Sequence, residues 1–478
     1  MQTAPAEVKS LDDSQLLPSG IPASRRLNFF ALVCVIFFTV SGGAFGIEPL
    51  VGTVGAGLAV LLIIVTPLLW SLPIALMVSE LSSAMPEEGG YYVWVRKGLG
   101  DFWGVQEGWW TICYTAVDMA IYPVLFINYL AFFVPALTLD ENGSSTWRVF
   151  FLRWIIAVAL IAVALLVNWQ GARAVGRNAM LNVGVVLIPF ALLTLIGLTR
   201  EGASGATIAA ITSDLSNPKD SGLLGLGLAT VLWNYCGWDN VSTFAGEVNE
   251  ARRNYPRALV AALPLTIAAY LLPVLAGIAL TTDSAVWNEA AGWPVIAETL
   301  GGRWLGLLLA GAALVSAWSL FNSQLLYVSR LPFVMARDKW LPRRLARVSP
   351  KTGVPTTALA LSCAVSAMFA ALPFGKLVII DILLYSAALS LEFFALIALR
   401  RRCPEMPRPF RIPGGMPVLV LITLTPMGFV ALVVAATTSG PEADIRQAVV
   451  VLFALVSGVA LYFLRRNKAA RRDSKAEE

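Results

Sequence analysis

The stretch Ser41-Gly42-Gly43-Ala44-Phe45-Gly46-Ile47-Glu48-Pro49 lies inside the first hydrophobic segment of the chain. A helix in a membrane keeps its backbone hydrogen bonds to itself, because lipid offers no partner. Glycines, a serine and a proline weaken that helix here, and a carboxylate beside the weak point is costly unless it faces a cavity or a partner. This pattern predicts a discontinuous helix whose freed backbone groups bind a solute. The alternative is close packing of helices through small residues.

The composition of the chain is that of a membrane protein. Of its 478 residues 57% are hydrophobic and only 14% are charged, and the mean hydropathy is +0.72. Soluble domains carry about 25% charged residues. Apolar runs recur at the ~20-residue length that a membrane-spanning helix requires. We therefore predict an all-α polytopic membrane protein with a single transmembrane domain.

The apolar runs predict twelve membrane-spanning helices. Their expected limits are 27–52, 56–82, 103–135, 147–167, 176–199, 222–247, 257–282, 303–337, 355–373, 376–400, 416–438 and 445–465. Most of the 35 Lys and Arg residues fall in segments on one side of the membrane, which predicts that both termini are cytoplasmic. The basic C-terminal tail is expected to contact anionic lipid headgroups. The net charge of +5 does not indicate nucleic acid as a partner, since no basic face with base-stacking aromatics is expected on a soluble domain.

The sixth span contains a second weak point in the stretch Val231-Leu232-Trp233-Asn234-Tyr235-Cys236-Gly237-Trp238-Asp239-Asn240-Val241-Ser242-Thr243. Polar and small residues again interrupt an apolar helix, with a carboxylate beside them. The first and sixth spans lie five apart and therefore enter the membrane in opposite directions. Two interrupted helices at corresponding positions of two five-span halves are typical of inverted-repeat transporters.

This repeat predicts five consecutive parts of the chain. They are a cytoplasmic N-terminal tail (1–26), a first repeat with spans 1 to 5 (27–199), a second repeat with spans 6 to 10 (200–400), spans 11 and 12 (401–465), and a cytoplasmic C-terminal tail (466–478).

Acidic residues lie within the predicted spans. Glu48, Asp118 and Asp239 are near the midplane, and Glu392 is nearer the cytoplasm, whereas no Lys or Arg lies at comparable depth. Each carboxylate carries an insertion penalty of ~3 kcal/mol. Several acids without a fixed counter-charge predict a site for a cationic ligand, and neighbouring aromatic rings such as Tyr385 attract ammonium groups. The alternative is that these acids are protonated and hydrogen-bonded between helices.

Other features of the sequence narrow the function. Trp233 lies just on the outer side of the predicted break in span six, where its ring is expected to close over a bound solute. Histidine is absent, so any proton relay must use carboxylates. Without histidine or a cluster of metal ligands we expect no cofactor and no metal. Without a nucleophile beside a base we expect no enzymatic activity.

Several motifs resemble the amino acid–polyamine–organocation (APC) superfamily, and within it the polyamine uptake transporters that sit near the L-type amino acid transporters. They are Phe38–Pro49, Gly89-Gly90-Tyr91-Tyr92-Val93-Trp94-Val95, Tyr122–Phe126 after Asp118, Trp238–Thr243, Leu391-Glu392-Phe393 and Arg408–Pro413. The similarity runs from about residue 27 to residue 440. It implies a five-plus-five inverted-repeat (LeuT-like) fold with discontinuous helices 1 and 6, and transport by alternating access.

The resemblance also implies site residues. In such relatives the broken backbones hold the amino group and, for amino acids, the carboxylate of the substrate. On this chain the corresponding residues are Ser41, Gly42, Gly43 and Gly46 in span one and Trp233, Tyr235, Cys236, Gly237 and Asp239 in span six. Some proton-coupled relatives carry a lysine in span five, whereas this chain reads Val185-Val186-Leu187-Ile188-Pro189. Coupling through that lysine is therefore not expected.

Together these observations predict a proton-coupled importer of polyamines such as putrescine, spermidine or agmatine in the cell membrane. Glu48, Asp118 and Asp239 are expected to hold the ammonium groups, with Glu392 and Tyr385 next in line. A carboxylate would carry the proton, or the protein would exchange solutes without coupling. The alternative is an amino acid permease or exchanger on the same fold, whose glycine backbone would bind an α-carboxylate.

Overall fold

The computed structural model of the chain describes residues 29–87, 89–139, 146–169, 179–216, 224–240, 242, 250–288, 292–349, 352, 354–439 and 444–477. In these ranges the regular structure is helical and contains no strand. The helices are α1 (Phe29–Val40), α2 (Glu48–Val54), α3 (Ala56–Ala84), α4 (Gly90–Leu99), α5 (Asp101–Leu130), α6 (Trp147–Trp169), α7 (Ala179–Thr199), α8 (Ala203–Ser216), α9 (Leu224–Asn234), α10 (Ala251–Leu280), α11 (Ser284–Asn288), α12 (Gly292–Gly301), α13 (Arg303–Val328), α14 (Arg330–Arg337), α15 (Thr356–Phe369), α16 (Phe374–Arg402), α17 (Gly415–Ser439) and α18 (Ile445–Glu477).

Each of the twelve predicted spans corresponds to helix in these ranges. Nine of the described helices are long and apolar enough to cross a membrane. The first span is divided into α1 and α2, and the described helices of the sixth and ninth spans, α9 and α15, are shorter apolar segments. The last helix continues to Glu477, beyond the expected end of the span at residue 465. The predicted tail 1–26 lies outside the described residues.

The predicted discontinuity of the first span is confirmed. Helix α1 ends at Val40 and α2 begins at Glu48. Between them Gly42, Gly43 and Gly46 have φ values of 60°, 98° and 85°, a region that other residues rarely adopt. The chain therefore turns out of one helix and into the next where the glycines allow it.

The sixth span is also interrupted at its predicted weak point. Helix α9 ends at Asn234, and Gly237 follows with a φ of 91°. A Cβ atom on Gly237 would lie 3.1 Å from the carbonyl oxygen of Thr39, so the two breaks meet in the middle of the bundle. Residues 241 and 243–249, which include the predicted end of this span, lie outside the described ranges.

Helix α5 occupies the centre of the bundle although it is the least apolar of the candidate spans. In the most apolar segment of α5, 18 residues long, 78% is buried, compared with 17% in the corresponding segments of α6 and α18. A helix with many polar side chains is costly to expose to lipid, whereas a uniformly apolar one is not. Helix α16 packs along α5, so these two helices bring their polar faces together inside the protein.

One end of the bundle, which we call the basic face, carries α4 and α14. The carboxylate of Asp338, just after α14, accepts hydrogen bonds from Arg96 at 2.8 Å and from Tyr92 at 2.9 Å. Burial and the charge of Asp338 raise the pKa of Tyr92, which keeps its hydroxyl a donor. At the first residue of α4, a Cβ atom on Gly90 would collide with the hydroxyl of Ser242. Helix α4 is therefore fastened across this end, close to the sixth span.

A buried ion pair joins two spans near the same end. Glu80 of α3 accepts hydrogen bonds from the guanidinium of Arg400, at 2.7 Å from Nε, and from the backbone amide of Ile412 at 2.9 Å. Arg408 lies 3.4 Å from the same carboxylate and also donates to the carbonyl groups of Leu399 and Cys403 at the end of α16. Residues of the Arg408–Pro413 motif thus bind both the C-terminal carbonyl groups of α16 and the carboxylate of Glu80.

Candidate functional site

A small cavity lies between the two helix breaks. Residues of the first, third, sixth, eighth and tenth spans line it. The predicted site residues among them are Ser41, Asp118, Trp233, Cys236, Gly237 and Tyr385. The centre of a water molecule can occupy only about 30 Å³ of the cavity. An organic substrate is larger, so the structure represents a closed state of the cavity.

Asp118 presents its carboxylate from the middle of α5. It accepts a hydrogen bond from the indole Nε1 of Trp233 at 3.0 Å and from the hydroxyl of Tyr122 at 3.3 Å. Tyr122 in turn accepts a hydrogen bond from the amide of Gln324 on α13. Residues from three spans thus hold this carboxylate at the cavity wall.

Asp239 lies one hydrogen bond away from the cavity. It is buried, and the hydroxyl of Tyr385 donates to it at 2.8 Å. The ring of Tyr385 meets the edge of Tyr114 with the centroids 5.2 Å apart. The hydroxyl of Tyr114 donates to Asn240 at 3.2 Å. Tyr385 therefore connects the carboxylate of the sixth span to the cavity wall.

Asp381 on α16 lines the same cavity, and sequence reasoning missed it. Its side chain is buried, and its Oδ1 atom has no hydrogen-bond partner among the described residues. It interacts electrostatically with Asp118 and Asp239. The available signal was its spacing from Tyr385, four residues later on the same helix face. Asp381 lies near the beginning of the predicted tenth span, 376–400, far from the expected midplane.

Glu48 does not line the cavity. Its carboxylate accepts hydrogen bonds from the hydroxyl of Tyr129 at 2.5 Å and from the backbone amide of Gly46 at 2.7 Å. It is buried at the first residue of α2, where a negative charge also suits the helix dipole. The side chain therefore holds the break together in this closed state. Its predicted contact with the substrate stays a prediction.

Five other predicted site residues lie outside the cavity lining. The hydroxyl of Tyr235 donates to the carbonyl of Ile63 at 3.0 Å, so it ties the second break to α3. Glu392 lies deeper along α16, towards the basic face. The predicted glycines Gly42, Gly43 and Gly46 shape the first break.

Side chains of the protein occupy the freed carbonyl groups of the first break. Hydroxyl and ring N–H groups from α10, α13 and α12 donate to them: Tyr270 to Ser41 at 3.4 Å, Ser316 to Gly42 at 2.6 Å and Trp293 to Ala44 at 2.6 Å. The amide of Asn234 donates to the carbonyl of Gly46 at 3.3 Å. These bonds satisfy the freed carbonyl groups and stabilise the unwound backbone.

Trp233 closes the cavity on the side away from the basic face. Its ring packs against Phe374, at the beginning of α16, with the centroids 5.6 Å apart. A Cβ atom on Gly46 would lie 2.9 Å from the ring, so glycine is required there for the ring to cover the first break. The indole bond to Asp118 fixes this position.

The cavity wall is acidic. Asp118 and Asp381 line it, Asp239 lies just behind Tyr385, and its lining residues include no Lys or Arg. Aromatic rings of Phe45, Tyr114 and Trp233 form much of the remaining surface. Carboxylates beside aromatic faces attract organic cations. No group of side chains suited to a metal ion occurs in the part of the chain that the structure describes.

A multi-pass helical bundle with a closed central cavity between two broken helices has the architecture of a secondary transporter. The comparisons with known proteins agree. Residues 27–460 match the family model described as "Amino acid permease". The chain belongs to this family, within the APC superfamily, and its resemblance to the polyamine-transporter branch is confirmed.

Curated relatives cover most of the chain. It is similar to "Polyamine transporter PUT1" of Oryza sativa subsp. japonica, with 35% identity over 93% of this chain and 80% of the relative. It is also similar to "Polyamine transporter RMV1" of Arabidopsis thaliana, with 33% identity over 91% of this chain and 84% of the relative. An uncharacterized transporter of Mycobacterium tuberculosis is 28% identical over 74% of this chain and 76% of its own length. The protein is thus a multi-pass membrane transporter.

Proposed function

We propose that this transporter carries polyamines or related organic cations across the membrane by alternating access, with proton coupling. The observation that carries the proposal is the cavity wall, which presents two aspartates and neither Lys nor Arg. Each aspartate would bind one ammonium group of a diamine such as putrescine. The names of the relatives PUT1 and RMV1 support the same substrate class.

The same wall disfavours an amino acid substrate. An α-carboxylate would lie beside Asp118 and Asp381 and be repelled by both. The backbone amide of Ser41 donates to the carbonyl of Phe37 at 2.8 Å, and the amide of Gly43 to the hydroxyl of Ser41 at 3.2 Å. Those amides would have to break existing bonds before binding a carboxylate. The amino acid permease remains the second candidate, because the family model carries that description.

Uptake into proteoliposomes separates the two candidates. We expect radiolabelled putrescine to accumulate, and unlabelled spermidine and agmatine to compete with it, whereas leucine does not. Butylamine, which has one ammonium group on a similar chain, should compete more weakly than putrescine if two carboxylates bind the substrate. Competition by leucine or arginine without competition by putrescine would overturn the proposal.

Substitutions of the aspartates test the binding site directly. Asp118→Asn and Asp381→Asn keep the side-chain shape and remove one charge each. A hydrogen bond to a charged group contributes about 1.5–3 kcal/mol, so the affinity for putrescine should fall by about 10- to 150-fold. Asp283→Asn, in a loop outside the cavity, is the matched control. Equal affinities of all three variants and the wild type would contradict this binding mode.

We further propose that the protein lies in the cell membrane with both termini in the cytoplasm, so that the basic face is the cytoplasmic one. The excess of Lys and Arg in the loops on that side supports this orientation. Accessibility of engineered cysteines at the two termini of the chain, in sealed right-side-out vesicles, tests it.

A further inference from the structure

Two glutamates lie beyond the cavity on the same two helices that carry its aspartates. Glu107 precedes Asp118 by three helical turns on α5, and Glu392 follows Asp381 by three turns on α16, a rise of about 16 Å in each case. The members of each pair therefore share one helix face. Helices α5 and α16 run in opposite directions, since the C-terminal Arg402 of α16 donates to Gly98, just before α5 begins. The two glutamates thus lie at a similar level, between the cavity and the basic face.

Both side chains are almost completely buried, with relative exposures of 0% for Glu107 and 1% for Glu392. The hydroxyl of Thr111 donates to Glu107 Oε1 at 3.2 Å. The Oε2 atoms of both glutamates have no hydrogen-bond partner among the described residues. The two groups interact electrostatically with each other and with Asp239.

Titratable groups on three other elements interact with this pair or with Asp239 beside it. Asp239 of the sixth span and Tyr91 of α4 interact electrostatically with both glutamates, and Tyr255 of α10 interacts with Asp239. Burial, together with Asp239 and both glutamates, raises the pKa of Tyr91, so this side chain stays neutral. The hydroxyl of Tyr255 is buried and also lacks a described partner. Among the described residues no Lys or Arg interacts electrostatically with either glutamate.

Two ionised carboxylates at this place would repel each other in a medium of low dielectric, without a cation to compensate. A proton is the smallest group that neutralises one of them, and a protonated carboxyl also supplies a hydrogen-bond donor among acceptor oxygens. The pair is covered on the basic face by α4, which the Arg96–Asp338 ion pair fastens. Movement of α4 away from this end would uncover the two glutamates towards the basic face.

We propose that Glu107 and Glu392 form the site that binds the coupling proton of this transporter. The proposal rests on the proposed function, of which it names one component. A proton that arrives through the cavity forms an O–H bond with one glutamate oxygen and neutralises that carboxylate. When α4 moves away, the O–H bond breaks, the proton leaves to the solution at the basic face, and the carboxylate is restored.

Proteoliposomes with and without an inward proton gradient test this site. In the wild type the gradient should stimulate putrescine uptake, and Glu107→Gln should reduce the ratio of uptake with and without the gradient to about one. Exchange of labelled for unlabelled putrescine should remain measurable in this variant. Glu405→Gln, an exposed acid after α16 on the same side of the protein, is the control and should keep the wild-type ratio. A wild-type ratio in Glu107→Gln would overturn the proposal.

Infrared difference spectroscopy provides a readout that does not depend on transport or on the folding of a variant. The wild-type protein, with isotope-labelled glutamate, should show the carbonyl band of a protonated glutamate near neutral pH, and this band should disappear at alkaline pH. Its absence from the wild type near neutral pH would overturn the proposal. If the wild type takes up no polyamine, the proposed function fails, but the infrared band still decides whether a glutamate in this protein holds a proton.

Discussion

Replacing Trp233 by phenylalanine removes one hydrogen bond from the closed cavity and keeps an aromatic ring over the first break. The indole Nε1 donates to Asp118 at 3.0 Å, and both side chains are buried. A hydrogen bond to a charged group contributes about 1.5–3 kcal/mol. When the bond exists only in the closed state, its loss shifts the equilibrium towards the open state by about 10- to 150-fold.

The native Cys236 reports this shift, because it lines the cavity. The assay uses a chain in which the other cysteines are replaced by alanine: Cys34, Cys113, Cys363 and Cys403. In sealed proteoliposomes, a small cationic thiol reagent should modify Cys236 faster in Trp233→Phe than in the parent chain, by a factor in the range given above. Putrescine should slow the modification in both chains if it occupies the cavity.

Trp154→Phe is the matched control for the gate. The indole of Trp154 donates to the carbonyl of Ala367 at 2.9 Å, away from the cavity. This substitution also removes one indole hydrogen bond but should leave the modification rate of Cys236 unchanged. An unchanged rate in Trp233→Phe, or an equal increase in both variants, would refute the assignment of Trp233 as the gate.

Three further substitutions test other contacts in the structure. Glu80→Gln removes the negative charge that pairs with the buried Arg400 and Arg408, and should lower the free energy of unfolding in detergent by about 3–5 kcal/mol. Glu87→Gln, which removes the exposed ion pair with Lys97, should change the free energy of unfolding by less than about 1 kcal/mol. Equal losses in the two variants would contradict the argument from burial. Gly90→Ala should displace α4 and slow putrescine uptake. Gly100 also has a positive φ but no close neighbour, so Gly100→Ala should slow uptake less. A larger loss of uptake in Gly100→Ala than in Gly90→Ala would contradict a role for the contact between Gly90 and Ser242. Glu48→Gln should lower the melting temperature without a selective loss of putrescine affinity, and a selective loss would instead support direct substrate binding.

Local patterns in the sequence predicted most of the architecture. Runs of apolar residues give the membrane spans, because the length of such a run is set by bilayer thickness. The glycines around Gly42 and Gly237 indicated both breaks, because backbone conformation at positive φ depends on the residue itself. Acidic residues in the middle of the spans, with no basic residue at the same depth, likewise predicted the acidic character of the cavity.

Contacts between distant spans required the tertiary structure. Asp381 reaches the cavity although it lies near the beginning of its predicted span, because the wall is formed by helices that meet at the two breaks. Glu48 lies outside the cavity lining, where it accepts a hydrogen bond from Tyr129, two spans later in the chain. The pairing of Glu107 with Glu392 likewise depends on which faces of α5 and α16 pack together. Hydropathy measures how much a segment avoids water, but the direction in which a polar group points is decided by the helices packed around it.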